Sequence, residues 1–339
     1  MRQRVLRNKL VCRMLFTAPR CLLIFAAMIS AGLASADGQS FPAKAITLVV
    51  PAAPGGVTDI IARALGQRFS ESLGKPVVIE NKPGASNQIA AEYVARSAAD
   101  GYTLLVSPEA TFVINPYLFG KLHYNAAADF VPVSGLVKIH QALIANPSVP
   151  AHNVADLMAL AKKEPGALNY GTYGVGSTGH LNMEMLQAAA GVRLVAIHYK
   201  GATPALTDVI AGHIQLMFIS VGSAIQPWKA GEVNALAVGS KGRLPRLPDV
   251  PTIAESGVPG FEAVSWFGIF APSGTPAAIV DQLNALTQRV LGEPVFRSAV
   301  LDPQYFEPMP GSPQEFSEFI KADAEKWQRV IRLANVKVE

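Results

Sequence analysis

Cysteine is almost absent from this chain of 339 residues, and charge is scarce. The only two cysteines, Cys12 and Cys21, lie near the N-terminus. Charged residues make up 16% of the sequence and apolar residues 50%. This composition excludes intrinsic disorder, because disordered chains combine low hydrophobicity with high charge. No later stretch reaches the roughly 18 consecutive apolar residues of a membrane helix, so we predict no membrane span.

The first 36 residues have the pattern of a secretory signal peptide. Six Lys and Arg residues and no acid precede an apolar run from Cys21 to Leu33, and Ala34-Ser35-Ala36 supplies a cleavage site. The run is shorter than the roughly 20 residues that span a bilayer. We therefore expect residues 1–36 to be cleaved and the protein to be exported, most simply to the periplasm.

Cleavage changes what the charge and the cysteines imply. The leader holds six of the 29 Lys and Arg residues and none of the 25 Asp and Glu residues, so its removal leaves 303 residues and turns the net charge from +4 to −2. Both cysteines leave with it, which excludes disulfides and cysteine nucleophiles in the mature chain. The basic excess indicates export, and we expect no nucleic acid partner.

Short strands alternate with helices along the remaining sequence. Strands are predicted at 46–50, 77–79, 102–106, 168–171, 194–199, 214–219, 235–238 and 266–271. Because strands joined through helices pair in parallel, we expect two α/β units, each a mostly parallel sheet flanked by helices. The C-terminal part has too few strands for a third domain and is expected to return to the first unit. This gives two lobes around a cleft, with 37–140 and 250–339 in lobe 1 and 141–249 in lobe 2.

Three predicted helices begin at a proline. Thr203-Pro204, Thr275-Pro276 and Ser312-Pro313 each place an N-cap residue before a proline at the first helical position. Glu315 extends the third pair into a capping box. Gly212 is expected to end the helix that begins at Pro204.

The first glycine loop follows the strand at 46–50 and precedes a helix. In open α/β sheets, ligands bind at the carboxyl ends of the strands. Gly55 and Gly56 would let a ligand approach the backbone, and the helix start carries a partial positive charge. Asp59, in the first helical turn, is expected to cap loose amides and fix the loop. A tight turn with a capped helix and no ligand is the other interpretation.

The second glycine loop, residues 170–180, lies between a strand and a helix of the second unit. Its glycines at 174, 176 and 179 match G-x-G-x-x-G, but the next strand, 194–200, has no acid to bind a ribose. A smaller anion site remains, with the hydroxyls of Ser177 and Thr178 beside the amides. A small ligand with an anionic group at each end would satisfy both loops.

Catalysis and metal binding have weaker sequence support. Ser177 lacks the glycine two residues earlier that a nucleophile elbow needs, since position 175 is Val. A secreted serine hydrolase stays open, because catalytic triads are spatial and not sequential. The histidines form no metal-type cluster, and we expect neither a metal nor a cofactor. Glu109 follows a strand end and either faces the cleft or is exposed.

Several motifs occur together in a fixed order between Phe41 and Val336. They are Pro54-Gly55-Gly56 with Asp59, Glu80-Asn81-Lys82-Pro83-Gly84-Ala85, Asp100-Gly101-Tyr102-Thr103, Ile114-Asn115-Pro116, Asn169-Tyr170-Gly171, Tyr199-Lys200-Gly201, Leu247-Pro248-Asp249-Val250-Pro251-Thr252 and Ala271-Pro272-Ser273-Gly274-Thr275-Pro276. Together they resemble the solute-binding receptors of tripartite tricarboxylate transporters, the Bug-type periplasmic receptors.

The resemblance implies a two-lobed, type II periplasmic-binding-protein (Venus-flytrap) fold without catalysis. Such a receptor closes on a small carboxylate and delivers it to the membrane permease subunits; we expect a monomer. By position, Ala53, Pro54, Gly55 and Gly56 would hold the near carboxylate, Tyr173, Gly174, Ser177 and Thr178 the far part of the ligand, and Ser107, Glu109, Thr111 and Ser220 would tune specificity. A carrier that signals to a sensor protein is an alternative.

The sequence departs from the family pattern at Glu109. Many relatives have small residues where this chain has Pro108-Glu109. A carboxylate there would repel an anion or favour a ligand with an amine or a hydroxyl.

Overall fold

Strands and helices alternate through this computed structural model, which describes residues 41–334 and 336. The predicted signal peptide, residues 1–36, lies outside the described residues. Within the described part of the chain, no helix is long and apolar enough to cross a membrane.

The strands are β1 Ile46–Val50, β2 Val77–Asn81, β3 Thr103–Pro108, β4 Phe130–Ala145, β5 Asn169–Thr172, β6 Val195–His198, β7 Leu216–Ser220, β8 Asn234–Val238, β9 Val264–Pro272 and β10 Phe306–Pro308. The helices are α1 Val57–Leu73, α2 Gln88–Ala95, α3 Asn115–Leu118, α4 Val154–Lys163, α5 Thr178–Ala190, α6 Ala202–Ile210, α7 Val221–Lys229, α8 Ala277–Gly292, α9 Pro294–Phe296 and α10 Pro313–Ala334. Single helical turns lie at 85–87, 110–114 and 297–304.

The sheet contains two parallel groups, as the sequence predicts. Strand β1 pairs in parallel with β2 and β3, and β5 pairs in parallel with β6 and β7. The order along the sheet is β2-β1-β3-β9-β4-β7-β5-β6, with β8 and β10 also paired to β4. Strand β9 runs antiparallel between β3 and β4, which places this C-terminal strand beside the first group.

Strand β4 joins the two groups and was missed by the sequence analysis. Its first part pairs with β9 and β10, and its end, from Gln141 to Ala145, pairs with β7 and β8. The pairing with β9 is irregular between Pro132 and Ser134 and between Gly135 and Val137. Proline and glycine inside a strand mark such irregularities and weaken its sequence pattern.

Helix boundaries confirm two predictions and correct two others. Ser312 and Glu315 form the reciprocal hydrogen bonds of the predicted capping box at α10. Gly212, the predicted stop of α6, follows the C-cap Ala211 with a φ of 79°. The predicted start of α6 at Thr203-Pro204 is wrong: the N-cap is Gly201, which puts Pro204 at the third helical position. Proline is tolerated there, because the first amides of a helix have no intrahelical acceptor.

The other helix correction is small. Helix α8 begins at Ala277 with Pro276 as its N-cap, and the Thr275 hydroxyl donates to the Pro272 carbonyl at 2.7 Å. The predicted start at Pro276 is therefore one residue early.

Helix α10 packs against the first group of strands through a buried carboxylate. Asp323 accepts hydrogen bonds from the indole Nε1 atoms of Trp266 at 2.8 Å and Trp327 at 3.2 Å. Phe316, Trp327 and Ile331 are buried, so this face of the helix belongs to the core. The contact fixes β9 where its start approaches the candidate site. The predicted lobe boundaries at 140 and 250 stay a prediction.

Candidate functional site

A cavity of about 430 Å³ lies where both groups of strands end. Its floor, defined as Ile139 and Gln141 of β4 with Ser265 and Phe267 of β9, consists of alternate strand residues. Such residues share one face of a sheet, and Ile139 pairs directly with Ser265. The other lining residues are Val57, Ser86, Asn87, Pro108, Glu109, Ala110, Asn115, Leu118, Phe119, Tyr173, Gly174, Val175, Gly176, Ser177, Thr178, Ala202, Ile219, Ser220 and Ser223.

Within the described part of the chain, five helices of eight or more residues begin at the wall of this cavity. The lining residues Val57 and Ala202 are the first residues of α1 and α6, and Asn87, Ser177 and Ser220 are the N-caps of α2, α5 and α7. Each helix start carries about half a positive charge and has amides without an intrahelical acceptor. Their convergence makes the cavity suited to a small anion.

Six of the predicted ligand-binding residues line the cavity and six do not. Glu109, Tyr173, Gly174, Ser177, Thr178 and Ser220 lie in the wall. Ala53, Pro54 and Gly55 are exposed and Gly56 is half-buried in the loop just before Val57. Ser107 and Thr111 are fully buried on either side of Glu109. The binding role of each of these residues stays a prediction.

The loop between β1 and α1 is held by Asp59. The Gly55 amide, the Arg63 Nε and the Asn81 Nδ2 each donate a hydrogen bond to its carboxylate at 2.8 Å. The hydrogen bond from Arg63 is the largest cause that lowers the pKa of Asp59 to about 2. Gly55 has a φ of +85°, a conformation that side chains with a Cβ rarely adopt. The loop is thus anchored by the expected carboxylate.

The start of α5 is built from the second glycine loop. The Ser177 hydroxyl accepts a hydrogen bond from the His180 amide at 3.4 Å, and the His180 Nδ1 atom accepts one from the Gly176 amide at 3.1 Å. Burial, with a contribution from His198, lowers the pKa of His180 to about 4, so the ring is neutral and can accept. Both groups therefore hold the loop, and Ser177 serves as a helix cap.

Gly176 brings this loop against α3 on the opposite wall. A Cβ at this glycine would stand 2.0 Å from the Leu118 Cδ2 atom, far inside van der Waals contact. Its φ of +71° also favours glycine. The close approach brings the loop after β5 into contact with α3, the helix that follows β3.

Glu109, which follows β3, contacts both the start of α5 and strand β9 at the edge of the floor. Its Oε1 atom accepts a hydrogen bond from the Thr178 hydroxyl at 2.8 Å, and its Oε2 atom accepts one from the Trp266 amide at 3.2 Å. The residue is only 1% exposed. Burial is the largest cause that raises the pKa of this carboxyl above its ordinary value. The open question of the sequence analysis is resolved: Glu109 lies in the cavity wall and is not exposed.

The hydroxyls that flank Glu109 bond to each other. Ser107 Oγ and Thr111 Oγ1 are 2.7 Å apart. The Thr111 carbonyl accepts a further hydrogen bond from the Tyr124 hydroxyl at 2.7 Å. These contacts fix the helical turn that follows Glu109.

Sequence reasoning missed the loop before α2 as part of the wall. Ala85, Ser86 and Asn87 have φ values of 45°, 50° and 75°, a run of left-handed conformation without glycine. The Asn115 Nδ2 atom donates to the Ser86 carbonyl at 2.7 Å and holds this loop. The signal was available, because the loop follows the carboxyl end of a parallel strand, where ligands bind in such sheets.

The polar residues of the floor were also missed. Gln141 is 3% exposed, and its Nε2 atom donates to the Ser265 hydroxyl at 3.4 Å. The Gln141 Oε1 atom has no hydrogen-bond partner within the described residues. No motif marks these residues, since their proximity depends on the pairing of β4 with β9.

The lining contains one ionisable carboxylate and, among the described residues, no Lys, Arg or His side chain. The described residues also contain no group of three or more His, Cys, Asp or Glu side chains that could hold a metal ion. An anion in this cavity must therefore be bound by amides, hydroxyls and helix starts.

The family model of the tripartite tricarboxylate transporter family receptors matches residues 61–336. The chain belongs to this receptor family. The resemblance noted in the sequence is thereby confirmed, and the homologues in the family are substrate-binding receptors.

Solved structures of relatives confirm the fold. Rpa4515 of R. palustris, solved with adipate, is 38% identical, with 88% of this chain and 99% of that chain covered and a TM-score of 0.80. The periplasmic binding protein BugD is 34% identical, with 88% and 100% covered and a TM-score of 0.76. MatC of Rhodopseudomonas palustris, solved with malate, is 32% identical, with 86% and 100% covered and a TM-score of 0.74. The receptor has the two-lobed, type II periplasmic-binding-protein fold.

Proposed function

We propose that this protein is a periplasmic receptor that captures a small organic carboxylate in the cavity and delivers it to a tripartite tricarboxylate-type permease. The convergence of five helix starts on one cavity without a cationic side chain among the described residues is the observation that carries the proposal. The carboxylates in the structures of the relatives Rpa4515 and MatC support this ligand class.

The same proposal includes cleavage of residues 1–36, lobes with boundaries near 140 and 250, a monomeric receptor and no catalysis. Ser177 and His180 both take part in local loop contacts, which favours binding over turnover. Closure would be a hinge movement between the lobes, with β4 as the strand that crosses from one lobe to the other near residue 140.

The loop Ala53–Gly56 is proposed to complete the site when the lobes close. It lies directly before Val57, which lines the cavity, and Asp59 fixes its backbone. Its glycines leave the backbone open to a ligand. In this account the loop amides meet the near carboxylate group, and Ser107, Glu109, Thr111 and Ser220 shape the remaining space.

Thermal unfolding with a panel of carboxylates tests both the function and the loop. A ligand at about 100 times its dissociation constant should stabilise the native state by about 2.7 kcal/mol. Gly55→Val should remove this shift, because a β-branched side chain at a φ of +85° distorts the loop backbone.

Gly274→Val is the matched control, since Gly274 has a φ of +87° in the loop before α8 and does not line the cavity. This variant should melt at a lower temperature but keep the ligand-induced shift. A wild-type protein that no carboxylate stabilises would refute the receptor function. A Gly55→Val variant with an unchanged shift would remove only the loop from the site.

A further inference from the structure

The floor of the cavity holds a buried acceptor that nothing in the described structure satisfies. The Gln141 Oε1 atom has no hydrogen-bond partner there, although the residue is 3% exposed and lines the cavity. A buried polar atom without a partner costs about 1–3 kcal/mol, so each such atom in a native protein calls for an explanation. A ligand that donates a hydrogen bond to this oxygen would remove the cost.

The neighbours of Gln141 oppose a second carboxylate at the floor. Ser265 accepts a hydrogen bond from Gln141, and the adjacent Trp266 amide donates to Glu109. Both carboxyl oxygens of Glu109 already accept hydrogen bonds from the protein. A ligand carboxylate beside Glu109 would bring two carboxyl groups together. No described lining residue carries a positive charge that could offset their repulsion.

Apolar side chains also line the cavity between its polar groups. Among them are Val57, Leu118, Phe119, Val175 and Ile219. Apolar walls between polar end groups fit a ligand with a hydrocarbon body, since its burial is favourable by about 25 cal/mol per Å². Polar contacts then fix its two ends and set specificity.

We propose that the ligand is a monocarboxylate with a hydrocarbon body and a neutral hydrogen-bond donor, a hydroxyl or a carboxamide, at its other end, and that Gln141 selects this donor. The proposal rests on the function proposed above. The carboxylate of the ligand takes the amides at the helix starts, and its distal O–H or N–H donates to Gln141 Oε1. Glu109 excludes a second carboxylate from the same place.

Matched ligand series test this specificity by isothermal titration calorimetry. The probes are straight-chain acids of four to eight carbons in three forms: alkanoate, ω-hydroxyalkanoate and α,ω-dicarboxylate. At the best chain length, the wild-type protein should bind the hydroxy acid at least about tenfold more tightly than either other form, the effect of one buried hydrogen bond. Gln141→Met, which keeps the side-chain length but removes the acceptor, should reduce the advantage over the alkanoate to less than about twofold.

Gln314→Met, on the exposed surface of α10, is the matched control and should keep the wild-type ratios. Equal or tighter binding of the dicarboxylate by the wild-type protein would overturn the inference and leave the carboxylate receptor intact. A hydroxy-acid advantage that survives in Gln141→Met would overturn the role of Gln141. Absence of binding by all three series would refute both this inference and the proposed function.

Discussion

Asp59 and Glu109 show what local sequence reveals about a carboxyl group. Asp59 is surrounded by donors from Gly55 and Arg63, each four residues away, and its anchoring role followed from its place in the first helical turn. The partners of Glu109, in contrast, lie 69 and 157 residues away. Its burial therefore depends on tertiary pairing, and the sequence left both orientations open. Gln141 was missed for the same reason.

Asp59→Asn should destabilise the protein at neutral pH. The pKa of Asp59 is lowered from 3.8 to about 2 in the native state, so its stabilisation is present above about pH 4 and is lost as the pH falls toward 2. After a discount for the exposed Arg63 partner, we expect a loss of about 1–2 kcal/mol at pH 7. Urea unfolding at pH 7 and pH 3 measures it, and a difference that does not shrink at pH 3 would contradict the assignment.

At the level of single elements, hydrophobic periodicity and capping residues were sufficient to predict most of the helices and strands. Helix α10 begins at the predicted Pro313, and the parallel pairing within each group of strands follows from the alternation of strands and helices. Strand β4 was not predicted, because proline and glycine interrupt its pattern. Helix α6 starts two residues earlier than predicted, because Gly201 is its N-cap. No local pattern in the sequence indicates a contact between elements, such as the approach of the second glycine loop to α3.

Gly176→Ala tests that approach. The added Cβ would clash with Leu118, so we expect a loss of roughly 2–3 kcal/mol in unfolding free energy, including the strain of a positive φ. Gly191→Ala is the control, since Gly191 has a similar φ of +64° but open space around it, and should cost only about 1 kcal/mol. Chemical denaturation compares the two variants. In a Leu118→Ala background, Gly176→Ala should lower the unfolding free energy by less than it does in the wild-type protein. Equal losses in the Gly176→Ala and Gly191→Ala variants would argue against the contact.

At the scale of the whole molecule, the sequence predicted the fold class and the family but only part of the cavity wall. The glycine loops were recognisable because each follows a strand end, the place where open α/β sheets bind ligands. The floor was not recognisable, because Gln141 and Ser265 meet only through the pairing of β4 with β9. The proposed function requires that an anionic carboxylate be bound without a cationic side chain among the described lining residues.

Isothermal titration calorimetry of one tight-binding carboxylate against its isosteric carboxamide tests that claim most directly. Amides at helix starts hold an ionised group through charge-assisted hydrogen bonds, which are about twice as strong as neutral ones. We expect one carboxylate bound per protein molecule and an affinity for the carboxamide that is at least about tenfold weaker. Equal affinities, or tighter binding of the neutral carboxamide, would contradict it.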